Sequence, residues 1–572
     1  MTSPFHNALA KKLAALNSAP EDSTDFDAWL ECSDQLAVVD GQAVDDEIIL
    51  YAVGVRTFIH SVGVANEQLA GTDPGDFLEW SGNAYAPETI INWDSDGGVW
   101  LEDGGHLSVG TGIDNVQRFV FAREFSDSWS GRFKYEILQS LVHALDLHEV
   151  AERRSFCRLD ENGDYVDVIS ITYGNAFRDE ISLVTIVREE LEAYLLLDDL
   201  VLVQMFDFTL TRPGGFNGWS QDRDERTAKD ESKAWRQNVE PGNGSYTRGI
   251  RFHKSDLTRE KLWARLSSGR MPETEHQTFV AHDFRNKRIA QISTAPEATT
   301  NYFEAHANEH PFELSPAFFR PEVLLKYKTD RDKYRIEGRT IRCRGGWELR
   351  SFDINSAGQV HAYICDLRGL PTAELLHWKA HNVEPKAEIS KRAYQADFLG
   401  QWSSDPDPIG GLAEVLRAWD HSNVPWWSLR DPQLLVQIGP PVTTSRDEWA
   451  GSFRDLSQLV VEGLEKRFLA GILRSVGVAF ENQFGSIKLA ELLWHHAEPD
   501  DGEQRFSALR ECVEIRNKTG AHAAPADASR LASEALEKHE SFMAHFEEAC
   551  HLIAEELRVI EALCRKYHQD GQ

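Results

Sequence analysis

From Phe546 to Tyr567 the residues Phe546, Cys550, Ile553, Leu557, Ile560, Cys564 and Tyr567 recur at alternating intervals of four and three. That spacing lines one face of an α-helix, and a stripe so long needs other helices to cover it. The pattern predicts a final helix from about Asp527 to Tyr567. Upstream, Ser445 and Glu448 make a capping box, and Phe453, Leu456, Val460, Leu464, Phe468 and Ile472 continue on one stripe. Two shorter helical patterns, at about 486–497 and 503–518, complete an expected four-helix bundle over 445–572. Its seam also fits a coiled-coil partner, which predicts a homodimer.

The chain before 445 has no such period. At 572 residues it is too long for a single ordinary core. Residues 1–211 read as a mixed α+β region: "SFCRLDENGDYVDVISITYG" is two strands joined at Asn162-Gly163, and "VREELEAYLLLDDLVLVQMF" is a buried helix. Residues 212–247 are polar, Gly-rich and charged, the composition of a long loop or domain junction. A second mixed region, a sensor or binding module, spans 248–400, with strand-like "QVHAYICDL" and helix-like "TAELLHWKAHN". Residues 401–444 form a loop-rich connector. The expected fold class is an α+β multidomain protein, two mixed α/β N-terminal regions followed by a C-terminal all-α helical bundle.

Charge narrows the function classes. Sixty Lys+Arg against 92 Asp+Glu give a net charge of −32, which excludes a nonspecific nucleic-acid coat and confines any polyanion to a locally basic site. One stretch qualifies: from Arg320 to Arg350 there are ten basic residues against five acidic ones, interleaved with Phe319, Tyr327, Tyr334 and Trp347. Basic plus aromatic is a nucleic-acid-binding composition, with Arg335, Arg339, Arg342 and Arg344 as candidate phosphate contacts. No apolar run approaches the ~18 residues of a membrane span, and the N-terminus lacks a signal peptide's apolar stretch. Seven scattered cysteines contain no C-x-x-C pair, as expected of free thiols in a reducing, cytoplasmic compartment.

Cofactor motifs are missing: there is no P-loop, no G-x-G-x-x-G after a strand and no G-x-S-x-G, so no cofactor is expected. "HANEH", His306 to His310, has the H-x-x-E-H spacing of inverted zincins, yet Pro311 and its flanks read as a turn. A zinc hydrolase through His306 and His310 is the third-ranked reading, and no resident metal is expected.

The most informative stretch is "ALRECVEIRNKTGAHAAP", residues 508–525. Leu509, Val513 and Arg516 share a helical stripe, which predicts an arginine aimed at the core. Gly520 then offers a break, His522 follows, and Pro525 stops the same helix from continuing. Arg516-Asn517, four residues, then His522, at the end of the third helix of a C-terminal bundle, resembles the R-x(4–6)-H signature of the HEPN superfamily (higher eukaryote and prokaryote nucleotide-binding domain). The resemblance covers residues 445–572 only, while the N-terminal regions resemble uncharacterised bacterial multidomain proteins.

Active members of that family are metal-independent endoribonucleases, usually dimers in which both motifs line one cleft. The resemblance therefore implies Arg516, His522 and Asn517 as catalytic residues, RNA as substrate, a homodimer, and a phage-derived or cellular trigger. It also implies a role in bacterial antiphage defence by abortive infection, or in toxin-like growth arrest. Residues six apart on one straight helix lie about 120° from each other, so Arg516 and His522 converge only through a bend or a second protomer. The family includes inactive members, so catalysis is a step beyond the fold. The alternative is a non-catalytic binding or regulatory protein that dimerises through the bundle.

Overall fold

The computed structural model of the chain describes residues 3–21, 23–78, 89–103, 116–124, 133–174, 180–214, 218–268, 275–304, 306, 308–401, 407–499, 505–520 and 525–569. The chain is a mixed α/β protein whose C-terminal part is helical. It divides into two compact units, Met1–Asp160 with Tyr165–Pro272, and Glu161–Asp164 with Glu273–Gln572. None of the described helices is long and apolar enough to cross a membrane.

The first unit is built on an 11-stranded antiparallel sheet. Its strands are β1 (Glu47–Val53), β2 (Thr57–Ala65), β3 (His148–Val150), β4 (Ser155–Leu159), β5 (Tyr165–Thr172), β6 (Ser182–Val187), β7 (Leu200–Thr211), β8 (Asp224–Lys229), β9 (Lys233–Glu240) and β10 (Gly244–His253). They run β8-β9-β10-β7-β2-β1-β6-β5-β4-β3, and the short Gln117–Arg118 strand pairs with β2. Helices α1 (Pro4–Asn17) and α2 (Ser33–Gly41) cover Ile49, Ala52 and Ile59 on one face. Helix α3 (Arg188–Leu197) covers Ile48, Leu50 and Ile186 on the other. Burial on both faces explains why β1 is apolar without alternation. A register shift between Ile49 and Tyr51 puts both Leu50 and Tyr51 in the α3-side core.

Two sequence expectations fail in this unit. The stretch expected to be one buried helix is α3 followed by β7, because Asp199 takes a positive φ of 50° and the β-branched-rich run beyond it extends. The 212–247 junction instead holds β8, β9 and the start of β10. β8 is an edge strand exposed at nearly every position, so charge suits it and no apolar period is written into it. The hairpin predicted at Asn162-Gly163 is present as the β4–β5 pairing.

The second unit has a β-rich half and a helical half. Strands β11 (Thr278–Asp283), β12 (Arg288–Ser293), β13 (Pro316–Phe319), β14 (Tyr334–Glu337), β15 (Thr340–Cys343), β16 (Glu348–Leu349), β17 (Asp353–Ile354) and β18 (Val360–Tyr363) form two sheets, ordered β12-β11-β13-β18-β17 and β14-β15-β16. Helix α4 (Thr372–His381) seals them with Trp378, fully buried against Phe319 at 4.7 Å between ring centres. Helix α5 (Lys391–Leu399) follows.

The helical half comprises α6 (Pro408–His421), α7 (Pro432–Gln437), α8 (Arg446–Val460), α9 (Lys466–Ser475), α10 (Ser486–Ala497), α11 (Ser507–Thr519), α12 (Pro525–His539) and α13 (Phe542–Gln569). All of them feed one core. The 401–444 stretch, expected to be a connector, contributes α6 and α7. In α6 Ile409, Leu412, Ala413, Leu416 and Trp419 make an amphipathic face, and Trp419 Nε1 donates to Glu561 Oε2 of α13 at 3.0 Å.

Of the four helices expected from periodicity, the two shorter ones are present as α10 and α11, whereas the first and the last each break in two. The first breaks into α8 and α9 because 426–428 pairs with 463–465: Ser428 N–H donates to the Gly463 carbonyl and Glu465 N–H to that of Trp426. The last breaks into α12 and α13 at Glu540, φ 68°, after which the Ser541 hydroxyl caps α13 through the Ala544 N–H. The stripe Phe546, Cys550, Ile553, Leu557, Ile560 and Cys564 is buried inside this chain, so it supplies no free seam for a partner.

A buried ion cluster joins the two halves of this unit. Arg392 of α5 sets its Nε and Nη2 on the two carboxylate oxygens of Asp353 in β17, both at 2.7 Å, and its Nη1 on Glu547 of α13. Burial alone would raise the Asp353 carboxyl, but Arg392 holds it well below the usual carboxylate range. Glu547, on the same guanidinium, goes the other way. Its Oε1 is buried without a hydrogen-bond partner among the described residues, and burial outweighs Arg392 there.

Candidate functional site

Helix α11 is held at both ends. At its start the carboxylate of Glu556 from α13 accepts the Ala508 and Leu509 N–H groups at 2.9 Å each, placing negative charge on the positive end of the helix dipole. Its buried face is Ala508, Leu509, Cys512 and Ile515. Val513 and Arg516 flank that face rather than forming it, which corrects the expected inward arginine.

Arg516 sits at the rim, its side chain 28% exposed. Its Nη1 donates to Glu462 Oε1 at 2.7 Å, while Nε and Nη2 lie 3.4 Å from the Asn517 amide oxygen. Glu462 stands in the α8–α9 turn, so the arginine ties the last turn of α11 to the break between those helices. Asn517 is exposed. The helix ends where Thr519 turns its hydroxyl back onto the Ile515 carbonyl at 2.6 Å and Gly520 becomes extended. His522 lies outside the described residues.

One turn earlier a polar network crosses the core, and periodicity gives no hint of it. Trp449 Nε1 of α8 donates to His545 Nδ1 of α13 at 3.2 Å, which leaves His545 Nε2 as the donor to Glu511 Oε1 of α11 at 3.3 Å. That bond holds the Glu511 carboxyl below its ordinary range. The His539 ring stacks on His545 with centres 4.5 Å apart, and burial followed by the neighbouring His545 lowers the His539 pKa. The only sequence signal was a histidine, His545, beside the apolar stripe at Phe546.

The basic stretch folds differently from its composition. Phe319, Tyr327, Tyr334 and Trp347 are all core residues, so the expected aromatic stacking surface is overturned. The arginines are matched to carboxylates: Arg335 with Glu337 at 2.7 Å, Arg342 with Glu337 at 2.8 Å, Arg344 with Asp332, and Arg339 with Asp397 at 2.9 Å. His306 and His310 are exposed in an irregular turn after the short Tyr302–Glu304 helix, so they do not share a helical face as a zincin pair must. Among the described residues no group of three His, Cys, Asp or Glu side chains is placed to hold a metal ion.

No known protein family, curated protein or solved structure matches the chain.

Proposed function

We propose that the C-terminal helical region is a HEPN-like endoribonuclease, in which Arg516 and His522 act on RNA without a metal ion and Asn517 orients the phosphate. One observation carries this reading: the Arg516-Asn517 pair stands at the C-terminal end of α11, at the rim of a helical core and directly before a break, with Asn517 facing solvent. His522 takes the proton of the ribose 2′-hydroxyl, and the resulting oxygen attacks the adjacent phosphorus. Arg516 exchanges Glu462 for the phosphate and balances the growing negative charge without titrating. A histidine, from the same or a second copy, returns a proton to the departing 5′ oxygen. The products are a 5′-hydroxyl and a 2′,3′-cyclic phosphate, and DNA, which lacks the 2′-hydroxyl, cannot form the cyclic phosphate. The working assembly is a homodimer with both motifs on one cleft, and the setting is antiphage defence by abortive infection or toxin-like growth arrest, released by a phage-derived or cellular trigger.

The test is to incubate the full-length chain with total RNA in EDTA and map the new ends. Cyclic-phosphate ends from wild type, lost in Arg516→Ala and His522→Ala, are the expected result. Unchanged cleavage by His522→Ala overturns the mechanism. A second reading rests on the Arg516–Glu462 ion pair: a non-catalytic binding protein in which Arg516 fastens α11 to the α8–α9 turn. It predicts no RNA cleavage and a loss of stability in Arg516→Ala.

A further inference from the structure

A cleft of about 310 Å³ opens in the second unit between the Tyr327–Ile336 segment, α6 and α7. That volume lies at the lower end of small-molecule sites. Its floor is aliphatic, with Ile409, Ala413 and Leu435. Among the described residues its charged lining is Lys328, Arg331, Arg335, Arg417 and a single acid, Asp407, a positive balance in a chain that carries −32 overall.

The pairing of those groups is uneven. Lys328 is bound to Glu448, and Arg335 lies 2.7 Å from Glu337 and 3.6 Å from Asp407. Asp407 is further occupied by capping α6 through the Gly410 N–H at 3.1 Å. Arg331 has no carboxylate within ion-pair distance among the described residues. Its Nη1 donates instead to the Val436 and Ile438 carbonyls at the end of α7, at 3.0 and 3.2 Å, which fixes the guanidinium at the cleft. Arg417, exposed on α6, makes no hydrogen bond or ion pair with any described residue. Where carboxylates outnumber cations so heavily, and where Arg335, Arg339, Arg342 and Arg344 each find one, two guanidinium groups on one cleft that make no ion pair with a described carboxylate, Arg331 feeling Asp455 only from farther off, leave donors for an incoming anion.

We propose that this cleft binds a phosphate monoester the size of a nucleoside monophosphate, with Arg331 and Arg417 on the phosphate and the organic body on the Ile409–Ala413–Leu435 floor. Guanidinium forks match phosphate oxygens, and the apolar floor selects an ester over bare inorganic phosphate. No residue of α11 lines the cleft, so this site stands or falls independently of the ribonuclease reading.

The experiment is calorimetric titration of the full-length chain with AMP, adenosine and inorganic phosphate. Saturable AMP binding is expected, with adenosine and inorganic phosphate each at least about tenfold weaker. Arg417→Glu should weaken AMP at least about tenfold without changing the melting temperature, since that side chain pairs with no described residue, and the milder Arg417→Gln should weaken it less. Absence of AMP binding up to ~1 mM overturns the proposal, as does equal AMP affinity in wild type, Arg417→Glu and Arg331→Gln.

Discussion

Arg516 and Glu462, from the end of α11 and the α8–α9 turn, share a 2.7 Å ion pair that leaves the arginine 28% and the glutamate 42% exposed. A pair so open to water contributes at most about 1 kcal/mol. Arg516→Ala and Glu462→Ala should therefore each leave the urea midpoint nearly unchanged, with a coupling below about 1 kcal/mol in the double-mutant cycle. If the ribonuclease reading holds, their activities separate: Arg516→Ala loses cleavage, whereas Glu462→Gln keeps it because the arginine is only released. A marked loss of stability in Arg516→Ala, with no cleavage in wild type, supports the clamp instead.

The Asp353–Arg392–Glu547 cluster behaves oppositely, because Asp353 is fully buried and Glu547 nearly so. Arg392→Leu strands Glu547 and leaves Asp353 with the Ser390 hydroxyl and the Arg339 guanidinium 3.8 Å away, and should cost about 3–5 kcal/mol, read from chemical denaturation. Replacing all three together, Asp353→Leu, Arg392→Met and Glu547→Leu, removes the charges with their partner and should cost markedly less. A triple variant as unstable as Arg392→Leu would mean that packing, not charge, decides the site.

What the sequence made legible follows from where side chains face one medium only. The α13 stripe could be read because Phe546 to Cys564 all meet one core, and the β4–β5 hairpin because Asn162-Gly163 marks its turn. The α8–α9 break could not, since Leu464 and Ile472 keep the helical period across a gap created by pairing with Trp427, far off in sequence order but adjacent in space. Strand β8 was hidden for the opposite reason: exposed on both sides, it carries no period at all. At the candidate site, Arg516 and Asn517 were visible as residue types at a helix end. Glu462, His545 and Glu511 were not, because an ion pair or a buried imidazole network depends on tertiary neighbours that composition does not record.

Asp366 gives a pH signature. Burial, reinforced by the nearby Asp397, pushes its carboxyl up to about 7. Between the unfolded value of about 4 and 7 the folded state holds a proton that the unfolded state has lost, so this group makes stability fall as pH rises through that window. Asp366→Asn should flatten that part of the profile, raising Tm by a few degrees at pH 8 (on the order of 2–4 °C) and not at pH 4. An equal shift at both pH values would show that the substitution acts through packing rather than protonation.

Two glycines of the helical half offer a matched pair. A Cβ on Gly463 would lie 2.2 Å from Trp427 Nε1 and 2.8 Å from the Leu459 carbonyl, the donor and acceptor of a 3.2 Å hydrogen bond. Alanine there must push the indole from its acceptor and open the α8–α9 turn, at a cost of about 1–3 kcal/mol. Gly451, inside α8, has nothing within 4 Å of its would-be Cβ. Alanine at that position adds helix propensity and reduces unfolded-chain entropy, so Gly451→Ala should stabilise by up to about 1 kcal/mol. Urea denaturation of the two variants should therefore shift in opposite directions. Because Glu462 adjoins Gly463, the Gly463→Ala variant should also loosen the Arg516 pair, and combining it with Glu462→Ala should cost less than the sum of the two alone. Strict additivity would mean that the turn and the ion pair are independent.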